Sequence, residues 1–296
     1  MPVFRSTWRR TMTDFDRLWQ TLADELKDVV RRYRERIATL PVTTKPDKTL
    51  LTAADVEIER LISDRIREFD PDAVIIGEED GRDDERAEVA DPGKLLYVID
   101  PIDGTAEFVR PDHREFGSVV CVLREYRPVA AFILAPEMGV GGTPLLITCD
   151  QPTGSVRVDG SEIGQPSSVA GPRWASVTRS SGTEPRGFES QLQAAGFQLK
   201  TRTTSQTMDM VRTAIDLSPY SDAVPTHFEI FYRTRQKIWD GLAGICLGET
   251  VGLRAADRGG AARVPVDVAT LRQAEPTFDS TILGPPEAVE WFLKLM

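Results

Sequence analysis

A mixed α/β (α+β) fold is what this sequence predicts, and three features of its apolar pattern predict it. Up to residue 69, apolar side chains recur at steps of three and four, the spacing of amphipathic helices. From 73 to 158 the pattern changes to short apolar runs, consistent with buried strands. After a Ser-, Gly- and Pro-rich stretch at 159–172, strand-like and helix-like segments alternate, as in α/β architectures.

The first helix is predicted over 13–40, with Phe15, Leu18, Leu22, Leu26, Val29, Tyr33 and Ile37 on one face and Pro41 ending it. Residues 42–52 are polar and contain Pro46 and Asp47, so they read as a loop or hairpin. A second helix is predicted over 53–69, with Ile58, Leu61, Ile62, Ile66 and Phe69 on one face. Strands are predicted at 73–76 and 95–99, with a charged surface loop at 78–91 between them. Two more, at 118–123 and 129–134, are joined by a turn at 124–128, and strands at 145–148 and 156–158 follow. Beyond 159–172, strands at 175–178 and 197–200 alternate with helices at 184–195 and 205–215. Further helices are predicted from Trp239 to Thr250 and over 286–295. The chain thus divides into a flexible extension (1–12), an α+β subdomain (13–158) and an α/β subdomain (159–296).

At 296 residues the chain exceeds a typical domain of roughly 100–200 residues, so one large or two intimately packed domains are expected. A formal net charge of −10 argues against a partner that is a nucleic acid polymer. It leaves room for a small anionic substrate, because bound divalent cations reverse the field locally. Cys121, Cys149 and Cys246 are odd in number and widely spaced, which reads as reduced, structural thiols of a cytoplasmic protein. They form no zinc pattern. No apolar run approaches the ~20 residues that span a bilayer, so no membrane partner is expected. The basic stretch Arg5, Arg9, Arg10 lacks the apolar core of a signal peptide and reads as a frayed extension.

Acidic residues cluster at the ends of predicted elements, where ligands gather in open α/β sheets. Glu78, Glu79 and Asp80 follow one strand; Asp100-Pro101-Ile102-Asp103-Gly104-Thr105 follows the next; Asp240 opens a helix. Two carboxylates on one short loop repel unless a cation lies between them, and hard oxygen ligands, including the Ile102 carbonyl, suit Mg²⁺. Gly104 and Thr105 open a helical turn whose free N–H groups suit an anion. Each feature also has a plain structural reading. The Glu78, Glu79, Asp80 run can be a solvated loop, Asp55 the capping-box partner of Thr52, and Asp240 a helix-start carboxylate. Their joint occurrence favours phosphate-ester chemistry at a metal site.

On these residues the chain resembles the inositol monophosphatase superfamily of lithium-sensitive, Mg²⁺-dependent phosphatases. The matching pieces are Lys45 with Leu51-Thr52-Ala53-Ala54-Asp55, Gly77-Glu78-Glu79, Asp100 to Thr105, and Trp239-Asp240-Gly241-Leu242-Ala243-Gly244. The resemblance implies a layered α/β/α/β/α sandwich of the sugar-phosphatase type, with metals between a metal-binding subdomain and a substrate-side subdomain. It implies Glu78, Asp100, Ile102 (through its carbonyl), Asp103 and Asp240 as metal ligands. Catalytic roles fall to Asp55, Thr105 and Glu79: Thr105 and Asp55 orient the attacking water and Glu79 supports them. The backbone of Gly104, Thr105 and Ala106 would hold the phosphate. Two or three Mg²⁺ ions, substitution by Mn²⁺, inhibition by Li⁺, and a homodimer are further implications.

For the substrate, Glu107-Phe108, Glu115-Phe116 and Ala135-Pro136-Glu137-Met138 resemble the 3′(2′),5′-bisphosphate nucleotidase branch. Arg233, with Arg235 and Lys237, stands where inositol-type enzymes place an acidic residue, which would favour a second anionic group. A bisphosphate nucleotide is therefore the first expectation. An inositol phosphate, another sugar phosphate or a biosynthetic intermediate is the alternative, and a non-catalytic phosphate-binding protein is the competing class. His113 and His227 read as surface or packed histidines, and Gly241, Gly244 and Gly248 as sites of close helix packing or of close approach to the metal and phosphate.

Overall fold

A computed structural model describes residues 12–45, 50–79, 89–163, 172–179 and 183–296. Residues 1–11 of the expected extension, Pro46 and Asp47, Asp80, most of the charged loop and most of the 159–172 boundary lie outside the described residues.

Helix α1 (Met12–Arg34) buries Phe15, Trp19, Leu22 and Leu26 along one stripe. It ends earlier than its periodicity predicts. Beyond Arg34 the bonds tighten to a 3₁₀ turn (Ile37–Thr39), because Pro41 holds Leu40 in an extended conformation. Strands β1 (Val42–Thr44) and β2 (Leu50–Thr52) pair as an antiparallel hairpin. Helix α2 (Ala53–Phe69) opens with a capping box. The Thr52 hydroxyl accepts from the Ala54 N–H at 3.1 Å, and the Asp55 carboxylate accepts from the Thr52 N–H at 2.8 Å.

A seven-stranded sheet follows, in the order β3 (Val74–Gly77), β4 (Leu96–Asp103), β5 (Gly117–Arg124), β6 (Arg127–Ala135), β7 (Leu145–Asp150), β8 (Ser155–Val158) and β9 (Ser161–Glu162). Strands β3 and β4 are parallel and the remaining pairs antiparallel. The short helix α3 (Thr105–Phe108) lies between β4 and β5. The second sheet is five-stranded, ordered β11 (Phe197–Arg202), β10 (Arg173–Arg179), β12 (Ile230–Lys237), β14 (Thr277–Gly284) and β13 (Arg254–Ala256). Helices α4 (Gly187–Ala194), α5 (Gln206–Ala214), α6 (Ile238–Thr250), α7 (Val268–Leu271) and α8 (Pro286–Leu293) complete the chain.

Side-chain alternation shows how these stack. Along β4, β5 and β6, Tyr97, Ile99, Val120, Val122, Phe132 and Leu134 face α1 and α2. Their neighbours Leu96, Val98, Val119, Cys121, Ala131 and Ile133 face α5 and α6. Those two helices also pack on Phe231 and Leu283 of the second sheet, whose other face (Ile230, Tyr232, Ile282) is covered by Phe188 of α4 and by Val289 and Phe292 of α8. The layers therefore run α/β/α/β/α. Close contact in the middle layer explains the α6 glycines. A Cβ at Gly244 would lie 2.5 Å from the Met210 Cβ, and one at Gly248 would lie 2.7 Å from the Leu283 Cδ1.

Two departures from the sequence reading bear on function. Strand β4 does not end at Ile99 but continues to Asp103 through an irregularity between Asp100 and Asp103. Asp100 pairs with Val119 and Asp103 with Gly117, so two residues oppose one. Residues three apart on a regular strand point to opposite faces; the extra residue turns both aspartates to the same side. The 230–237 segment, read from the sequence only as a run of charges beside the pocket, is an interior strand.

Candidate metal centre

Three elements deliver carboxylates to one point. The bulge of β4 presents Asp100 and Asp103, and the first turn of α6 presents Asp240. One oxygen from each lies within 4.8 Å of the others. Asp100 is 1% exposed and Asp103 4%. Glu78 follows β3, its N–H donating to the Ile99 carbonyl at 3.2 Å, which extends the parallel pairing to the edge of the cluster.

The start of α5 fixes two of the three. Ser205 Oγ donates to Asp103 Oδ2 at 2.7 Å, and the N–H groups of Gln206 and Thr207 donate to the same carboxylate at 3.2 and 2.7 Å. Gln206 Nε2 donates to Asp240 Oδ2 at 2.5 Å, and Thr207 Oγ1 to the Asp240 carbonyl at 3.1 Å. Asp100 differs: both of its oxygens are buried without a hydrogen-bond partner. Burial, then the charges of Glu78, Asp103 and Asp240, push its carboxyl well above the usual range. Asp240 is raised likewise, by burial and then by Asp103 and Glu78. Burial lifts Asp103 to about 6, against the hydrogen bonds from Ser205, Thr207 and Gln206. A buried carboxylate with no donor is costly unless a cation meets it. The donor set is all hard oxygen, which fits a divalent ion such as Mg²⁺.

Beside the cluster lies a second group. Thr105 Oγ1 is 3.2 Å from Asp55 Oδ1 and 3.0 Å from the Ile102 carbonyl, so one hydroxyl proton is shared between two acceptors. Asp55 Oδ2 accepts from the Thr52 N–H and hydroxyl. Its capping role and its approach to Thr105 are thus served by different oxygens. Burial raises the Asp55 pKa against those Thr52 hydrogen bonds. Lys45 Nζ donates to Glu78 Oε1 at 2.8 Å and to Glu79 Oε1 at 2.6 Å. Burial pushes Glu79 up to about 7 in spite of that ammonium. Gly104, at φ +94°, makes the turn into α3; a Cβ there would lie 2.9 Å from the Glu115 carbonyl oxygen.

The sequence-derived substrate residues separate. Arg233 lies at the cluster edge, where its guanidinium interacts with Asp240. Lys237 turns its ammonium to Glu275 and over the Trp239 ring, and Arg235 is exposed. His113 is neither free nor packed in a core. Its Nδ1 lies 2.5 Å from Oε2 of Glu107, a carboxylate that is 3% exposed and also holds Arg202. His227 is half-buried, and burial lowers its pKa.

Ser205, Gln206 and Thr207 are site residues that the sequence reading passed over. Their one sequence signal was a Ser at a predicted helix start, which marks a cap rather than a partner a hundred residues away. Glu59, whose Oε2 accepts the Glu79 N–H at 2.9 Å, was hidden inside α2.

Comparison with known proteins agrees with this arrangement. The chain is 29% identical over 119 residues to the 3′(2′),5′-bisphosphate nucleotidase CysQ of Escherichia coli (strain K12), covering 40% of this chain and 47% of that protein. It is 34% identical over 127 residues to a histidinol-phosphatase of Streptomyces coelicolor, covering 42% and 44%. The chain thus spans about half the length of the curated relatives it matches. A staphylococcal IMPase-I structure shares the fold with a TM-score of 0.73 at 18% identity, over 97% of this chain and 96% of that one. The inositol monophosphatase family model matches residues 9–283. By that match, which takes in the acidic cluster, α5 and α6, the chain belongs to the inositol monophosphatase family.

Proposed function

We propose that this protein is a Mg²⁺-dependent phosphomonoesterase acting on a small phosphorylated metabolite. The observation that carries the reading is the buried carboxylate of Asp100, without a hydrogen-bond donor and within reach of Asp103 and Asp240. Glu78, Asp100, the Ile102 carbonyl, Asp103 and Asp240 would hold the cations. Divalent ions held there would neutralise phosphoryl charge and make a nearby water more acidic.

The chain's own groups do the rest. Thr105 Oγ1 accepts a hydrogen bond from the attacking water and aims it. As the water's proton moves onto Oγ1, the hydroxyl's own proton passes to Asp55 Oδ1, whose raised pKa makes it the better base. Glu79 supports from beside Lys45. The N–H groups of Gly104, Thr105 and Ala106 receive phosphate oxygens.

An inositol phosphate, another sugar phosphate or a phosphorylated biosynthetic intermediate is favoured over a bisphosphate nucleotide. The three-cation run that argued for the nucleotide is dispersed, with Lys237 committed to Glu275 and Arg235 exposed. The CysQ match keeps the nucleotide as the second reading.

The test is phosphate release from inositol 1-phosphate, fructose 1,6-bisphosphate, histidinol phosphate and adenosine 3′,5′-bisphosphate, with Mg²⁺, with EDTA, and with Asp100→Asn. Release that needs Mg²⁺ and drops to background in the variant is the expected result. Release that survives both EDTA and the substitution would overturn the reading.

A further inference from the structure

Gly77 ends β3 just before the two glutamates, yet its backbone does not call for glycine, because its φ lies outside the left-handed region. What calls for glycine is room. A Cβ at Gly77 would lie 2.5 Å from Cδ and Oε1 of Glu59 and 2.7 Å from its Oε2. Glu59 is 3% exposed and comes one turn after Asp55 on α2, so the two carboxylates leave the same face of that helix. The Glu59 carboxylate fills the space over Gly77 and accepts the Glu79 N–H, 2.9 Å from Oε2.

That bond bears on Glu78. Peptide groups are planar, so the direction a residue takes is set by the planes on either side of it. The plane before Glu78 is tied to β4. Its N–H donates to the Ile99 carbonyl at 3.2 Å, continuing the parallel ladder past the Gly77–Ile99 pair. The plane after Glu78 lies beyond the end of β3 and carries the Glu79 N–H, which Glu59 holds. Both backbone torsions of Glu78 are thereby fixed, one by β4 and one by α2. The Glu78 side chain needs that aim. Its Oε1 is 2.8 Å from Lys45 Nζ, and the three carboxylates that converge within 4.8 Å are those of Asp100, Asp103 and Asp240.

We infer that Glu59 is a positioning residue for the metal centre: by accepting the Glu79 N–H in the space that Gly77 leaves open, it aims the Glu78 carboxylate at the cations. Helix α2 then serves the centre twice, through Asp55 to Thr105 and, one turn later, through Glu59 to the turn of Glu78 and Glu79. Partners that orient a ligand in this way tune metal affinity by about 10–100-fold. The inference rests on the metal site of the reading above and gives Glu59 no contact with metal or substrate.

The experiment measures metal binding itself, by Mn²⁺ titration followed through water-proton relaxation and by the Mg²⁺ dependence of the melting temperature. Glu59→Ala should weaken binding about 10-fold. Glu59→Gln, whose amide oxygen can still accept the Glu79 N–H, should recover most of that loss. Gly77→Ala disturbs the same contact from the other side and should lose about as much, while Gly77→Ala combined with Glu59→Ala should be no worse than Glu59→Ala alone. In a Glu78→Gln background, Glu59→Ala should change the affinity little, a result that general loosening of the fold would not produce. Melting in EDTA identifies the variants that fold. If metal binds in this pattern but no phosphate ester is hydrolysed, the positioning role stands and the phosphatase reading falls. If a folded Glu59→Ala or Gly77→Ala protein binds metal like the wild type, if Glu59→Gln loses as much as Glu59→Ala, or if the loss persists in full with Glu78→Gln, the positioning role is refuted and the phosphatase reading is untouched. A wild type that binds neither ion refutes both.

Discussion

Asp100 has neither a hydrogen-bond donor nor a counter-ion among the described residues, and its nearest charged neighbours carry its own sign. In the metal-free protein it is a stored penalty that a cation converts into stability. In EDTA near neutral pH, Asp100→Asn should therefore melt above the wild type, because a neutral amide replaces a buried carboxyl that can ionise only against Glu78, Asp103 and Asp240. Mg²⁺ should raise the melting temperature of the wild type by several degrees and leave the variant nearly unmoved. A variant that melts lower in EDTA, or that gains as much from Mg²⁺, would contradict this. Asp103 gives the pH dependence. Its folded pKa, about 6, lies above its ordinary value of 3.8, so its contribution is full below 3.8 and is lost as pH rises through 6. Metal-free protein should thus melt higher at about pH 5 than at about pH 7.5, and saturating Mg²⁺ should cancel or reverse the difference. Thermal scans at the two pH values, with and without Mg²⁺, check both signs. These residues were legible in the sequence because each sits in a short motif at an element end. Gln206 was not, since nothing local marks a glutamine whose partner is Asp240.

At the scale of elements, the bulge of β4 and the C-terminal end of α1 do work that periodicity does not reveal. A run of apolar residues followed by Asp-Pro-Ile-Asp reads as a strand and then a loop; only pairing with β5 shows that the strand continues and that the extra residue re-aims a carboxylate. Strand β12 escaped for a related reason. Its sequence, Arg-Thr-Arg-Gln-Lys after Tyr232, lacks apolar alternation: Arg233 bonds to Thr203, Arg235 is exposed, Gln236 is buried and Lys237 pairs with Glu275. The last residue of α1, Arg34, falls inside the helix predicted over 13–40, where nothing in the sequence marks it. In the folded chain its side chain is 10% exposed and forms a fork with Glu137 at 2.7 and 2.8 Å. It also donates to the carbonyls of Phe108, Arg110, Pro111 and His113, at 2.6 to 3.0 Å. One guanidinium thus holds the segment that follows α3 and carries His113 to Glu107. Arg34→Ala should cost about 2–4 kcal/mol in chemical denaturation, since it strands Glu137 and four carbonyls. Adding Glu137→Gln should recover part of that loss, the sign of a coupled pair.

At the scale of the molecule, the metal cluster lies where the first sheet meets the middle helices: Asp100 and Asp103 come from β4, Asp240 and the supporting donors from α6 and α5. The same junction carries a buried ionic group. Glu115, in the segment between α3 and β5, accepts from Lys200 at 2.9 Å and from Arg212 at 2.7 Å, and Asp209 takes the remaining reach of Lys200 at 2.6 Å. Arg212 is fully buried. Although burial alone would raise the Glu115 pKa, Arg212 and Lys200 hold it down at about 2. Its folded pKa therefore lies below the ordinary 4.5, so its contribution to stability is complete above 4.5 and is lost as pH falls from 4.5 toward 2. That is opposite in sign to Asp103, and the two can be separated by substitution. In EDTA, Glu115→Gln should be less stable than the wild type at pH 6 by up to about 3 kcal/mol, and the gap should close steadily on acidification. The change would be read from urea unfolding midpoints of the two proteins at matched pH. A gap that stays constant down to about pH 2.5 would mean that Glu115 acts through packing and not through its charge, and that the junction is held by the apolar middle layer alone.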